Sequence, residues 1–152
     1  MNTSKKHFKG FSCCFRQWIA ETTHCKYLHG YSVSFIIEFQ GELDERNWVW
    51  DFGGMKRAKK KINGINADKW CNHCFDHTTI IAEDDPHLNK FIELEKAGVI
   101  QLRVIKDVGA EKFAEFVFKN INKFVQNETD NRVSVKKVTV LENENNSATY
   151  EN

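Results

Sequence analysis

Residues 31–40 read YSVSFIIEFQ. Tyr31, Val33, Phe35, Ile37 and Phe39 fall on every second position, with Ser32, Ser34, Glu38 and Gln40 among the residues between them. Successive side chains of a strand point to opposite sides, so this stretch predicts a strand with one apolar and one polar face. Upstream, HFKGFSCCFRQ (7–17) repeats the two-residue period through Phe11, Cys13 and Phe15 and predicts a second strand. The segment between them, WIAETTHCKYLHG (18–30), is too long for a tight turn and is predicted to be a functional loop.

Working outward, Asp51 is placed to cap a helix over about 53–62, whose KRAKKK run (56–61) reads as a solvated basic face. Residues 86–97 predict a short helix with Pro86 in its first turn and Gly98 just past its end. VIQLRVI (99–105) predicts a short strand. GAEKFAEFVFKNINKFVQN (109–127) predicts the longest helix, with Phe113, Phe116, Val117, Ile121, Phe124 and Val125 on one stripe. In RVSVKKVTVL (132–141) the alternation slips at Lys136–Lys137, which predicts a bulged strand, and the tail ends in one more short strand. This order predicts an α+β fold, an antiparallel sheet with helices covering one face.

The totals fit one domain spanning 1–152. Of its 152 residues, 41% are hydrophobic and 28% charged, a globular composition. With 22 basic and 21 acidic residues the net charge is +1, which gives no general attraction to nucleic acid or anionic membranes. No apolar run is long enough to span a bilayer. The N-terminus lacks the apolar core of a secretory signal, so a cytoplasmic location is predicted. The five cysteines are then thiols, ligands or small buried residues rather than disulfides.

Several residues carry chemistry. Cys25 has His24 beside it and His29 four residues on, and a thiol becomes reactive when an imidazole or a metal lowers its pKa; otherwise it is a small buried residue. His29 and Tyr31 share a face in extended chain, where two histidines would be two ready zinc ligands, but Tyr31 also continues the apolar stripe as core packing. Asp76 adjoins His77, and in a loop a carboxylate orients an imidazole. WCNHC (70–74), with His73 inside it, has the spacing of half a structural zinc site in Cys71 and Cys74. Glu142 follows the last long strand and is either a strand-end charge or an acceptor for two forked N–H groups.

Taken in order, FSCCFR (11–16), CKYLHGYSV (25–33), WVWDFGGMK (48–56), FDH (75–77), GAEKFAEFVF (109–118) and VTVLENENNSATY (138–150) resemble the 6-pyruvoyl-tetrahydropterin synthase and 6-carboxy-tetrahydropterin synthase family. The resemblance implies the T-fold, with two main helices on one face of an antiparallel sheet. It implies a barrel-like homo-oligomer, a hexamer or tetramer, with active sites where subunits meet. It also implies a zinc-dependent lyase that eliminates triphosphate from 7,8-dihydroneopterin triphosphate, whose bacterial branch makes 6-carboxy-tetrahydropterin for queuosine and related deazapurines. By position, Cys25 is the catalytic thiol, Asp76 and His77 complete its proton-transfer triad, Glu142 anchors the pterin, and Glu111 is the acidic substrate-binding residue opening the long helix. The three zinc-ligand positions fall on Phe15, His29 and Tyr31, and Gly109 replaces a threonine. A rebuilt zinc site would draw on Cys13, His24 and Cys25 beside His29. Two further readings follow: a non-catalytic or re-purposed pterin- or purine-binding T-fold protein, and an interaction module with structural zinc on Cys71 and Cys74.

Overall fold

A computed structural model describes residues 1–152. The strands are β1 (Asn2–Phe15), β2 (His29–Gly41), β3 (Lys61–Ile62), β4 (Ile65–Asn66), β5 (Thr78–Ala82), β6 (Leu102–Ile105), β7 (Val133–Leu141) and β8 (Ser147–Glu151). The helices are α1 (Gly54–Arg57), α2 (Trp70–Phe75), α3 (Leu88–Lys96) and α4 (Ala110–Glu128). Six strands form one sheet in the order β6-β5-β1-β2-β7-β8. β1, β2, β7 and β8 are antiparallel neighbours, as predicted; β5 adds to β1 and β6 to β5 in parallel.

The β1–β2 register sets the core. Phe11 pairs with Val33, Cys13 with Tyr31 and Phe15 with His29. One extra residue enters β1 between Phe8 and Phe11, where Gly10 takes φ 88°. This bulge lets Phe8 face the same way as Phe11 despite their odd spacing, and β1 continues back to Asn2, beyond the predicted start. A second bulge lies where Glu38 pairs with Lys137 but Phe39 with Val135, so the predicted slip at Lys136 is real.

The predicted stripe of α4 is buried against this face: Phe113, Val117, Ile121, Phe124 and Val125 join Phe15, Phe35, Val135 and Val138 in one core. Phe113 is fully buried, its ring edge-on to Phe15 at 4.9 Å and to Phe75 of α2 at 5.3 Å. The core side of the sheet is thus covered by two helices, α4 and the shorter α2, whose Trp70 stacks on Phe116.

The helix predicted over 53–62 shrinks to Gly54–Arg57, because Ala58 turns extended (φ −61°, ψ 137°) and the basic run that follows would stack like charges along a helix face. Asp51 accepts from the Gly53 N–H at 2.9 Å, forming a turn ahead of the helix rather than capping it. Lys61–Ile62 and Ile65–Asn66 instead pair around Asn63 (φ 49°) and Gly64 (φ 80°), the two left-handed residues of a type I′ hairpin. The sequence does not announce β5: TTIIA is buried on both sides and shows no alternation. No helix is long and apolar enough to cross a membrane.

Because Phe113 joins sheet, α2 and α4, Phe113→Ala is expected to lower stability by about 3–5 kcal/mol, read as a lower urea midpoint with an unchanged slope.

Candidate active site

Phe15 ends β1 and His29 begins β2, and their pairing brings the three family zinc positions together at one end of the sheet. The Phe15 and Tyr31 rings stack with centroids 3.9 Å apart and 12° between planes. The His29 ring lies 4.5 Å from Tyr31.

The predicted functional loop between β1 and β2 holds Cys25 in a short 3-10 turn, His24–Lys26. Thr23 Oγ1 accepts the Cys25 N–H at 3.1 Å, and the Cys25 carbonyl accepts the Gln17 N–H at 2.8 Å. Arg16 fastens the turn from below. Its Nη1 donates to the Lys26 carbonyl at 3.2 Å, while Nε and Nη2 grip both oxygens of Asp85 at 2.7 Å each. The Asp85 side chain is 0% exposed. The sequence signals neither this clamp nor its partner, since the residues lie far apart in the chain.

The Tyr31 phenol is pushed up to about 12, first by burial, then by the charges of Glu142 and Cys25 and a hydrogen bond to Glu142, with Cys13 adding a little. Cys25, Tyr31 and Glu142 therefore share one neighbourhood, close enough for their charges to act on the phenol. Glu142 is set there by the β7–β8 turn, where its N–H donates to the Asn146 carbonyl at 3.0 Å.

Asp76 and His77 pair as the sequence suggests, Oδ2 to Nδ1 at 3.0 Å. Asp76 Oδ1 also accepts the Ser12 N–H at 3.1 Å. The Ser12 N–H and the His77 ring outweigh burial and hold Asp76 below the ordinary carboxylate value. The His77 backbone is left-handed (φ 56°), its N–H donates to the Ser12 carbonyl at 2.6 Å, and its side chain is 77% exposed. No hydrogen bond joins this pair to Cys25 within the chain. Glu111 stands exposed in the first turn of α4 and is not drawn to the group by any hydrogen bond.

The donor set does not fit the family zinc site. Phe15 has no donor atom, Tyr31 offers only a phenol, and His29, with Nδ1 against the Tyr27 carbonyl at 2.7 Å, offers Nε2 alone. Of the replacements named from sequence, Cys13 is buried, with its thiol pushed up to about 12 chiefly by burial, then by Cys14 and Asp76. His24 is exposed and faces the Tyr27 ring at 6.4 Å. No group of three or more His, Cys, Asp or Glu side chains is arranged to hold a metal ion. In the WCNHC segment Cys71 is buried in the core, burial raises its thiol, and burial pushes Cys74 up to about 12. Arg103 Nε donates to the His73 carbonyl at 2.8 Å, and no third ligand joins the pair.

The family model of 6-pyruvoyl tetrahydropterin synthase matches residues 4–152. The chain belongs to this family. Among solved structures, an uncharacterized protein of Wolinella succinogenes superposes with a TM-score of 0.79 at 19% identity, over 99% of this chain and 98% of the other. The 6-pyruvoyl tetrahydropterin synthase of Caenorhabditis elegans gives 0.64 at 20% identity, over 99% and 95%. That of Plasmodium vivax gives 0.67 at 16% identity, over 100% and 99%. At these identities the likeness establishes the T-fold. Among curated proteins none matches the chain in sequence.

The Arg16–Asp85 clamp makes a testable claim about this member of the family. Burial works against ionisation of Asp85, but the Arg16 hydrogen bonds, the His87 N–H and the nearby positive charges outweigh it and hold the carboxyl below its ordinary value. Such a group adds stability above its unfolded pKa, and loses it as pH falls through the lower folded value. Asp85→Ala is expected to cost about 3 kcal/mol at pH 7 in urea unfolding. The difference from the unaltered protein is expected to narrow once the pH drops below about 4.

Proposed function

We propose that this chain is a lyase of the 6-carboxy-tetrahydropterin synthase type, acting on 7,8-dihydroneopterin triphosphate or a related pterin in pterin or queuosine and deazapurine biosynthesis. The observation that carries the reading is that Leu141 pairs with Ser34, so that the next residue, Glu142, reaches the end of the T-fold sheet where Tyr31 and Cys25 lie. An ionised carboxylate offers about four lone-pair sites. These suffice for the forked amino and ring N–H edge of a pterin. Glu142 thus holds and orients the ring.

The reaction is an elimination. A base takes a proton from the substrate side chain, and the released electron pair expels triphosphate by breaking its C–O bond. Cys25 Sγ and the His77 ring are the groups that move protons. Asp76 Oδ2, bonded to His77 Nδ1, fixes the tautomer that leaves Nε2 free to accept. Because Asp76–His77 and Cys25 do not touch within one chain, the site is completed in a homo-oligomer, where one copy's pair meets another copy's thiol. The sheet supports this: its edge strands, β6 and β8, leave main-chain donors and acceptors free for pairing.

The Phe15–Tyr31 stack favours a second reading, a pterin or purine binder that has given up the lyase reaction. Turnover decides between them. Triphosphate release from 7,8-dihydroneopterin triphosphate is expected, with kcat falling by about 10²- to 10⁴-fold in Cys25→Ala. Absence of turnover by the unaltered protein, with pterin binding intact, would sink the lyase reading and leave the binder.

A further inference from the structure

We infer that this ligand site works without a metal ion and recognises its ligand through the ring alone, a planar heterocycle presenting an amino and a ring N–H edge, as pterins and guanine do. The inference rests on the reading above only in that Glu142 holds the ring.

The physical ground is what fills the place of the metal. Zinc needs about three protein donors converging at about 2.0–2.3 Å on one point. Here two of the three converging positions carry rings stacked face to face at 3.9 Å, too close for an ion to sit between them. Phe15 cannot swing aside: it is 1% exposed and Phe113 stands edge-on to it at 4.9 Å. The remaining imidazole, His29, has Nδ1 against the Tyr27 carbonyl, which leaves Nε2 as a single free donor where zinc needs about three. The nearest thiol on the same strand face, that of Cys13, pairs with Tyr31 in the register and is buried in the core.

This substitution changes specificity. In the family mechanism zinc grips the oxygens of the substrate side chain, a task for which a stacked pair of aromatic rings has no equivalent. Hydroxyl and phosphate oxygens pressed against such a surface lose their hydration without gaining a donor. Recognition therefore shifts to the ring, whose edge meets Glu142 and whose face finds an aromatic neighbour in the exposed His29 imidazole.

Full-length protein is incubated with equimolar zinc, gel-filtered and analysed for metal, and no stoichiometric zinc is expected. By calorimetry, 7,8-dihydropterin lacking a side chain and 7,8-dihydroneopterin are expected to bind within about threefold of each other, with no effect of a chelator. Glu142→Gln is expected to weaken both by about tenfold or more. Finding about one zinc per chain that is lost in His29→Ala would overturn the metal-free site. So would chelator-sensitive binding that favours the side-chain-bearing pterin by about tenfold. Failure of both pterins to bind would overturn the ring half together with the pterin reading, while the metal measurement still decides the other half. The double variant Phe15→His/Tyr31→His, checked for folding by circular dichroism, is expected to gain about one zinc per chain. A folded double variant without zinc would overturn the claim that missing donors alone exclude the metal.

Discussion

The antiparallel pairing of β1 with β2 is the constraint on which the rest of the molecule depends. Its register puts Phe11, Cys13 and Phe15 opposite Val33, Tyr31 and His29, and all but the exposed His29 join the core that α4 covers. A slip of one residue would turn that row to the other face and expose it. The bulge at Gly10 lets a long strand keep one apolar face through a break in its period. The bulge at Lys136 does the same for β7, and it leaves two adjacent lysines near one carboxylate: Lys136 and Lys137 lie 3.5 and 3.8 Å from Glu38, with Lys5 at 3.7 Å across the pair. Glu38 is buried on the sheet face away from the core, so these cations offset the cost of placing its charge there.

What could be read in advance follows from period and length. The alternation of 31–40 and the α4 stripe are long enough for a period to show, and the slip at Lys136–Lys137 is visible because it breaks one. β5 and α2 are short and buried, so neither carries a period of its own. The helix over 53–62 is misread because an apolar and basic mixture resembles a helix face, while the decisive Asn63–Gly64 dipeptide marks a hairpin only two residues long on each side. At the site, residue types are legible and contacts are not. Asp76 beside His77 is apparent, whereas the Ser12 amide that anchors Asp76 is supplied by β1, far away in the chain.

The same distinction separates the residues that act from those that place them. Cys25 is located by its backbone, through Gln17 and Thr23, and the turn it sits in is fastened by Arg16 to a carboxylate that no solvent reaches. A guanidinium has five donors in a fixed fork, and Arg16 uses three of them to join the end of β1, the Cys25 turn and the segment between β5 and α3. A thiol held this way keeps its position even though its own side chain makes no anchoring bond, which is the support a preorganised group needs.

The aromatic pair at the zinc positions belongs to the same economy. Imidazoles turned toward a core must be satisfied by a metal or by hydrogen bonds, and left unsatisfied they cost free energy. Phenylalanine and tyrosine need only packing, which Phe113 and each other provide, and the single hydroxyl they introduce lies in the neighbourhood of Glu142. The apolar core therefore extends to the end of β1, and the fold gains stability there from packing. The polar groups Cys25, His29 and Glu142 sit at the rim of that packed end. A ligand meeting them encounters one carboxylate, one thiol and an aromatic edge, a set suited to a flat ring with donors along one side.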